Sequence, residues 1–315
     1  MTALYAVLML SCLTTTAHAF GVGDGGTSGA QFLKLAPGAR AAAMGEAYSA
    51  LCEDAYAVYY NPAGLGFVRE VQAAAMHNAH FQGIRHDFGA LAVPMLAWTD
   101  SRRERNEFGT AAFGLTSLTV GGIERRGVVE TDEPTDTFGA SDFAYALAYG
   151  APLSARLAGG ASFKVIDQTI DSAHSTAFAL DAGALYRKER LSLAGGLRNL
   201  GTKVKFADAS DPLPFVLYGG AGCRLSEPWL VSADLRLPRD HRLGLSVGTE
   251  YRVRFFDGLS TALRGGYNTS TTDADGLTGV TFGAGIAYGA AEFDFAWVPF
   301  GDLGNTFRYS LQVRF

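Results

Sequence analysis

The chain has 315 residues, room for one large domain or two small ones, with 39 glycines, 12% aromatic residues and only 18% charged residues, against a usual charged share of about 25%. A formal net charge of −5 argues against nucleic acid as a partner, because phosphate binding needs a basic face. Mean hydropathy is +0.09, yet nothing after the first two dozen residues stays apolar and uncharged for about 18 positions, which excludes a helical membrane span from the body of the chain.

The N-terminus has the form of an export signal. Residues 1–19 carry no charged side chain, Leu4 to Leu13 are mostly apolar, and Ala17-His18-Ala19 fits a small-x-small cleavage site. The early region lacks Lys and Arg, so an uncleaved anchor is the alternative. Of the three cysteines, Cys12 goes with the signal, and Cys52 and Cys223 make no disulfide framework. Cys223 is expected on a lipid-facing strand surface, where a small apolar thiol fits.

Residues 20–69 form a second unit. A Gly-rich stretch to Gly29 leads into an Ala-rich run, Gln31 to Leu51, that contains Pro37-Gly38-Ala39-Arg40. Ala41 to Ala50 holds helix formers, and Asn61-Pro62 is a turn signal. Short helices and tight turns are expected, forming a plug, with Arg40 paired to inward carboxylates such as Asp181 or Asp234.

From residue 70 to 315 the period becomes two. Phe178, Leu180, Ala182, Ala184 and Tyr186 alternate with Ala179, Asp181, Gly183 and Leu185. Leu245, Val247 and Tyr251 alternate with Ser246, Gly248 and Glu250. Phe307, Tyr309, Leu311, Val313 and Phe315 alternate with Arg308, Ser310, Gln312 and Arg314. Each such strand has one apolar and one polar face. About 14 strands of about 9–13 residues can be placed, the length that crosses a bilayer at a tilt, and bacterial barrels have even strand numbers. Connections alternate short (187–190, 226–228, 289–290) and long (122–139, 199–212, 268–276, 299–305), with an unexplained long inner connection near 99–106. A soluble sandwich would show the same alternation. Charge placement favours the barrel, since a Lys or Arg facing lipid at mid-bilayer costs about 2–4 kcal/mol and the strand charges fall on the polar set. The fold class is therefore all-β: a transmembrane antiparallel barrel with a short helical N-terminal plug.

Chemistry-bearing patterns are sparse. His77, His80 and His86 have no Cys or carboxylate at ligand spacing, so no metal or cofactor is expected. Glu292 and Asp294 share a strand face, which suits lining a lumen better than acid–base catalysis. Gly-x-Ser-x-Gly is absent, and no enzyme is expected.

Three segments carry a family resemblance. Gly38-Ala39-Arg40-Ala41-Ala42-Ala43-Met44-Gly45 continues through Ala47-Tyr48 and Asp54-Ala55 to Asn61-Pro62-Ala63-Gly64-Leu65. Val298-Pro299 runs through Asp302, Gly304 and Asn305 to the last strand, and Leu197-Arg198-Asn199-Leu200-Gly201 lies between. This resembles the PorV/PorQ family of outer-membrane proteins, departing from it at Glu46 and Cys52. The resemblance implies a 14-stranded barrel similar to FadL transporters, with the N-terminal segment in or under it. It implies a docking or shuttle role in protein secretion or surface assembly, in some bacteria with the type IX system. Gly38, Arg40, Met44, Gly45, Asn61, Pro62 and Gly64 would be the plug residues, and Pro299, Asp302, Gly304 and Asn305 the C-terminal ones. Terminal Phe315 resembles the signal read by the outer-membrane insertion machinery. Outer-membrane lipid and secreted cargo or secretion-complex proteins would be partners. The competing expectation is a FadL-like conduit for small hydrophobic molecules, with an apolar pocket above the plug and a lateral opening. The charged inner faces count against a greasy tunnel.

Overall fold

Alternating side chains build one closed sheet. The computed structural model describes residues 26–80, 83–95, 108–127, 132–206, 209–255, 258–271 and 276–315. The export signal expected over 1–19 and most of the connection near 99–106 lie outside them. The strands are β1 (Gln72–Ala79), β2 (Arg85–Pro94), β3 (Thr110–Arg125), β4 (Asp136–Pro152), β5 (Leu157–Ile170), β6 (Ala173–Lys188), β7 (Leu191–Gly201), β8 (Lys203–Phe206), β9 (Ala209–Pro212), β10 (Val216–Arg224), β11 (Trp229–Pro238), β12 (Gly244–Arg254), β13 (Leu259–Asn268), β14 (Val280–Tyr288), β15 (Ala291–Pro299) and β16 (Asn305–Arg314). Fourteen of them form an antiparallel barrel, and β8–β9 is a separate hairpin at its mouth. Closure comes from β1 and β16, paired from Gln72 with Arg314 to Ala79 with Phe307. A barrel has no open edge, so every strand finds partners without water.

The two faces of the sheet are chemically opposite. Phe307, Tyr309 and Leu311 point outward and are exposed, while Arg308, Ser310 and Gln312 between them are buried. Leu263 on β13 is 70% exposed, a state that fits lipid rather than water at such density around a wall. Cys223 sits on this outer face, half-buried and free, and Cys52 is buried and free. Along β3–β6 the outward side chains change at one level: Leu115 gives way to Ser117, Phe143 to Ser141, Val165 to Asp167 and Phe178 to Thr176. The strands run on past this apolar edge, so much of the expected 122–139 loop is sheet. Its pairing resumes after a bulge between Val120 and Ile123 and continues to Arg125 opposite Asp136.

Most short connections, those after β4, β6, β10, β12 and β14, lie at one end, as on the periplasmic side of outer-membrane barrels, while the two-residue β5–β6 turn lies at the other. From the other, outer end the chain enters the lumen. Lys34 Nζ meets Asp240 Oδ1 at 2.6 Å in the β11–β12 connection. Thr110 Oγ1 donates to the Val68 carbonyl at the inner end. Residues 26–71 thus run the length of the barrel. Of the run 41–50 expected to be helical, only Ala41–Ala43 are, within an α-helix that spans Ala39–Ala43. Gly45 (φ 63°) and Glu46 (φ 66°) turn left-handed immediately after it, a conformation that ends a helix. Further along, Ala57–Tyr60 forms one helical turn and Pro62–Phe67 a 3₁₀ helix.

The lumen has an apolar half and an ionic half. Tyr48, Tyr56, Tyr60 and Leu65 of the threading segment pack with Met76, Phe88, Ala90 and Ala148 of β1, β2 and β4. The adjoining wall, β12–β16, presents Glu250, Arg264, Glu292, Asp294 and Arg308, all buried. Wall glycines admit the threading backbone: a Cβ on Gly266 would collide with Gly45 N.

Candidate functional site

The plug residues expected from the resemblance meet in the lumen. Gly38 caps the Ala39–Ala43 helix at φ 91° and its N–H points at Met76 Sδ, 3.2 Å away. At the next residue Ala39 N–H donates to Ser310 Oγ. Arg40 forms a two-pronged pair with Glu250, Nε to Oε2 at 2.8 Å and Nη2 to Oε1 at 3.0 Å. Asp181 and Asp234, the expected partners, are taken. Asp181 pairs with Lys164 at 2.6 Å, and Asp234 accepts the backbone N–H groups of Tyr48 and Ser49. The helix packs against β13–β16, and that azimuth aims Arg40 at the β12 carboxylate.

Met44 is fully buried, and Gly45 N–H donates to Thr281 Oγ1. Asn61 is fully buried and its Oδ1 accepts from Ala63 N–H, capping the 3₁₀ helix that Pro62 begins. A Cβ on Gly64 would overlap the Cys52 carbonyl.

The C-terminal residues lie elsewhere. Pro299 pairs with Asn305 across an outer turn that contains Asp302 and Gly304, the latter at φ 108°. Asn305 Oδ1 accepts from Trp297 Nε1 on the outer face. Phe315 is at the opposite end, 74% exposed, with its N–H on the Val71 carbonyl. These positions shape a turn and a terminus, and the structure does not bring them to the plug.

Sequence reasoning left two buried arginines without a role. Arg264 has no exposed side-chain surface and meets Glu250 at 2.6 Å, Asp294 at 2.5 Å and Glu292 at 3.3 Å. Glu292 and Asp294 are therefore lumenal ion-pair members. Arg198 lies on β7, where Arg198 and Asn199 together face Asp181 of β6 and the register shifts by one. The signal was present in Leu197-Arg198-Asn199-Leu200: two leucines three apart cannot both face lipid on a regular strand.

The three histidines do not converge. His77 points outward beside Asp87, His86 is buried inward, and His80 packs at a tilt against Phe300. Among the described residues no three His, Cys, Asp or Glu side chains are placed to hold a metal.

Two cavities flank the plug. The inner one, about 370 Å³, is polar and lined by Glu53, Asp54, Arg69, Arg187, Arg190 and Arg314 among others. The outer chamber, about 390 Å³, is mixed. Leu33, Leu35, Tyr59, Val216, Pro238 and Phe300 supply its apolar surface. Its charged groups are Lys34, Glu46, Arg198, Arg236, Asp240 and Arg308. Most are matched: Lys34 with Asp240, Arg236 with Glu46 at 2.6 Å, and Arg308 with the Ala36 carbonyl at 2.7 Å. Burial pushes the Asp240 carboxyl up, but hydrogen bonds from Lys34 and Gln31 outweigh it and hold the group below the usual carboxylate range. Beside the chamber, the β7–β10 ladder stops at Arg198 opposite Val216. Above that point the Asn199 side chain donates to the Pro214 carbonyl.

Solved structures share this architecture. The toluene transporter TbuX of Ralstonia pickettii matches with a TM-score of 0.58 at 14% identity, covering 89% of this chain and 98% of its own. The monoaromatic hydrocarbon channel CymD matches with a TM-score of 0.60 at 13% identity, covering 88% and 97%. A FadL homologue of Pseudomonas aeruginosa gives 0.54 at 13%, covering 94% and 99%. At such identities the likeness is one of fold: the closed 14-stranded barrel of this chain resembles the folds of these outer-membrane channels and transporters. No protein-family model and no curated protein matches it.

Proposed function

We propose that the protein is an outer-membrane barrel for uptake of small, largely apolar molecules, with the outer chamber as their receiving site. The carrying observation is the chamber's position: about 390 Å³ at the outer end, directly above a plug that fills the lumen below. Ligand pockets of this size are concave and mostly apolar, with a few fixed polar groups. The structural relatives are named for toluene and monoaromatic hydrocarbons, which supports the same broad class here. The interrupted β7–β10 ladder beside the chamber supports a sideways exit into the bilayer, because a charged inner cavity makes a poor route for an apolar solute. The test is uptake of a dilute radiolabelled monoaromatic hydrocarbon by intact cells that lack their own channel. Expression of this barrel should raise the initial rate several-fold. No gain with folded, surface-assembled protein would refute the reading.

One observation favours a second, PorV/PorQ-like reading, docking of secreted or secretion-complex proteins. The β3–β6 sheet projects beyond the apolar edge to Arg125 and Asp136, offering polar sheet to a partner above the membrane. Co-purification from intact membranes tests it: a partner should be recovered with the full chain and lost on shortening 126–135.

A further inference from the structure

Arg198 is the charged group of the outer chamber without an acceptor. It is 9% exposed. Its guanidinium carbon lies 5.1 and 5.4 Å from the ring centroids of Tyr59 and Tyr218. A ring meets a planar guanidinium through its faces. The five N–H groups lie in the guanidinium plane and still require acceptors. Among the described residues no carboxylate or carbonyl meets them, and Nε is buried with no partner.

The position is built, not incidental. Arg198 faces inward at the start of a bulge that also brings Asn199 inward, at φ 60°. Asn199 N–H donates to Asp181 Oδ1 at 2.8 Å, and its side chain joins Lys164 Nζ to the Pro214 carbonyl. Asp181 is the nearest candidate counter-ion, and its charge is matched by Lys164 at 2.6 Å. The other chamber cations have their own partners, as described above. A desolvated cation that lacks an acceptor is costly, and a fold that holds one rigidly against a cavity leaves the acceptor to a ligand.

We propose that Arg198 is an anion-recognition residue and that the outer chamber takes a small organic monoanion. The ligand's carboxylate-type head meets the guanidinium edge, and its apolar body lies along Leu33, Tyr59, Val216, Pro238 and Phe300. Arg198 is the one of the chamber's cations whose guanidinium edge meets no acceptor among the described residues, so a single carboxylate-type head matches it. Neutral hydrocarbons leave the guanidinium edge unmet and bind more weakly. The inference rests on the chamber being a ligand site, and it names the ligand's chemistry.

The experiment uses the full mature chain in phosphatidylcholine nanodiscs, with 4-phenylbutyrate and 4-phenylbutan-1-ol as probes in titration calorimetry. These probes share an apolar body and differ in charge. The acid should bind about tenfold or more tighter than the alcohol, the scale of a hydrogen bond to a charged group. R198Q should abolish the preference with little change for the alcohol, and R198K should keep part of it. Equal affinities in the unaltered protein, or a preference that survives R198Q, overturn the proposal while leaving a ligand site. If neither compound binds, the ligand-site reading fails and this proposal with it. The acid–alcohol comparison needs no variant, so it decides even where R198Q does not fold.

Discussion

Arg40 on the plug and Glu250 on the wall of the barrel hold each other through two parallel hydrogen bonds, 2.8 and 3.0 Å long. A planar guanidinium and a carboxylate match in this geometry, which adds direction to charge. Glu250 is also met by Arg264 at 2.6 Å and Arg252 at 3.4 Å. The plug is therefore seated in an ionic network that the wall largely supplies.

That asymmetry sets an order of effects. Arg40→Met removes one of three cations around Glu250 and should cost about 1–2 kcal/mol, whereas Glu250→Gln strands buried guanidiniums and should cost about 3–5 kcal/mol. The readout is the temperature at which the compact gel band converts to the unfolded one. Equal shifts for the two variants would contradict the network described.

Close approach between plug and wall predicts a second contrast. A Cβ on Gly266 would meet Gly45 N and the Met44 carbonyl carbon, whereas one on Gly89 meets nothing within 4 Å. Backbone cannot move aside as a side chain can. Gly266→Ala should therefore destabilise by about 1–3 kcal/mol and Gly89→Ala by much less, from the cost of overpacking. Protease sensitivity of residues 26–71 would separate a displaced plug from a weakened barrel.

The apolar belt predicts a third. Leu263 lies midway along β13 on the outer face, and Leu263→Arg should cost about 2–4 kcal/mol; Ser117→Arg, beyond the belt's outer edge, should cost about 0–1 kcal/mol. Denaturant unfolding into and out of bilayers measures both. A large penalty at Ser117 would mean that the level of the membrane has been misplaced.

The barrel was legible because its signal is local. Phe307, Tyr309 and Leu311 repeat at every second position, and nothing but a two-faced strand satisfies that period. The partner of Arg40 was not legible. Asp181, Asp234 and Glu250 all belong to the inner set, and only the azimuth of the Ala39–Ala43 helix chooses among them. Helix length failed for a related reason: Ala47 and Ala50 favour helix, but Gly45 must turn left-handed where the backbone passes Tyr267. Arg198 sat within a recognised motif, yet its role depends on a bulge that shifts Leu200 outward and Asn199 inward. The chamber joins residues from the two ends of the chain, Leu33 and Phe300 among them, and no spacing rule reports such an encounter.

The last prediction concerns the outer mouth. Asp240 accepts from both Lys34 and Gln31, which anchors the first described turn of the plug over the chamber. Its carboxyl is held below the usual range in the folded protein. A depressed carboxylate pKa contributes stability that is complete above the unfolded value and is lost as pH falls through the folded one. The anchored state should therefore persist from neutral pH down to the ordinary carboxylate range and release only at lower pH. Asp240→Asn should remove that pH dependence and raise the accessibility of this segment at every pH. Labelling a cysteine placed at Lys34 across a pH series reports the direct loss of the pair, and one placed at Gly26 reports release of the segment with the pair intact. Release of the Gly26 label at mildly acidic pH, where Asp240 is still ionised, would show that something other than this carboxylate holds the mouth.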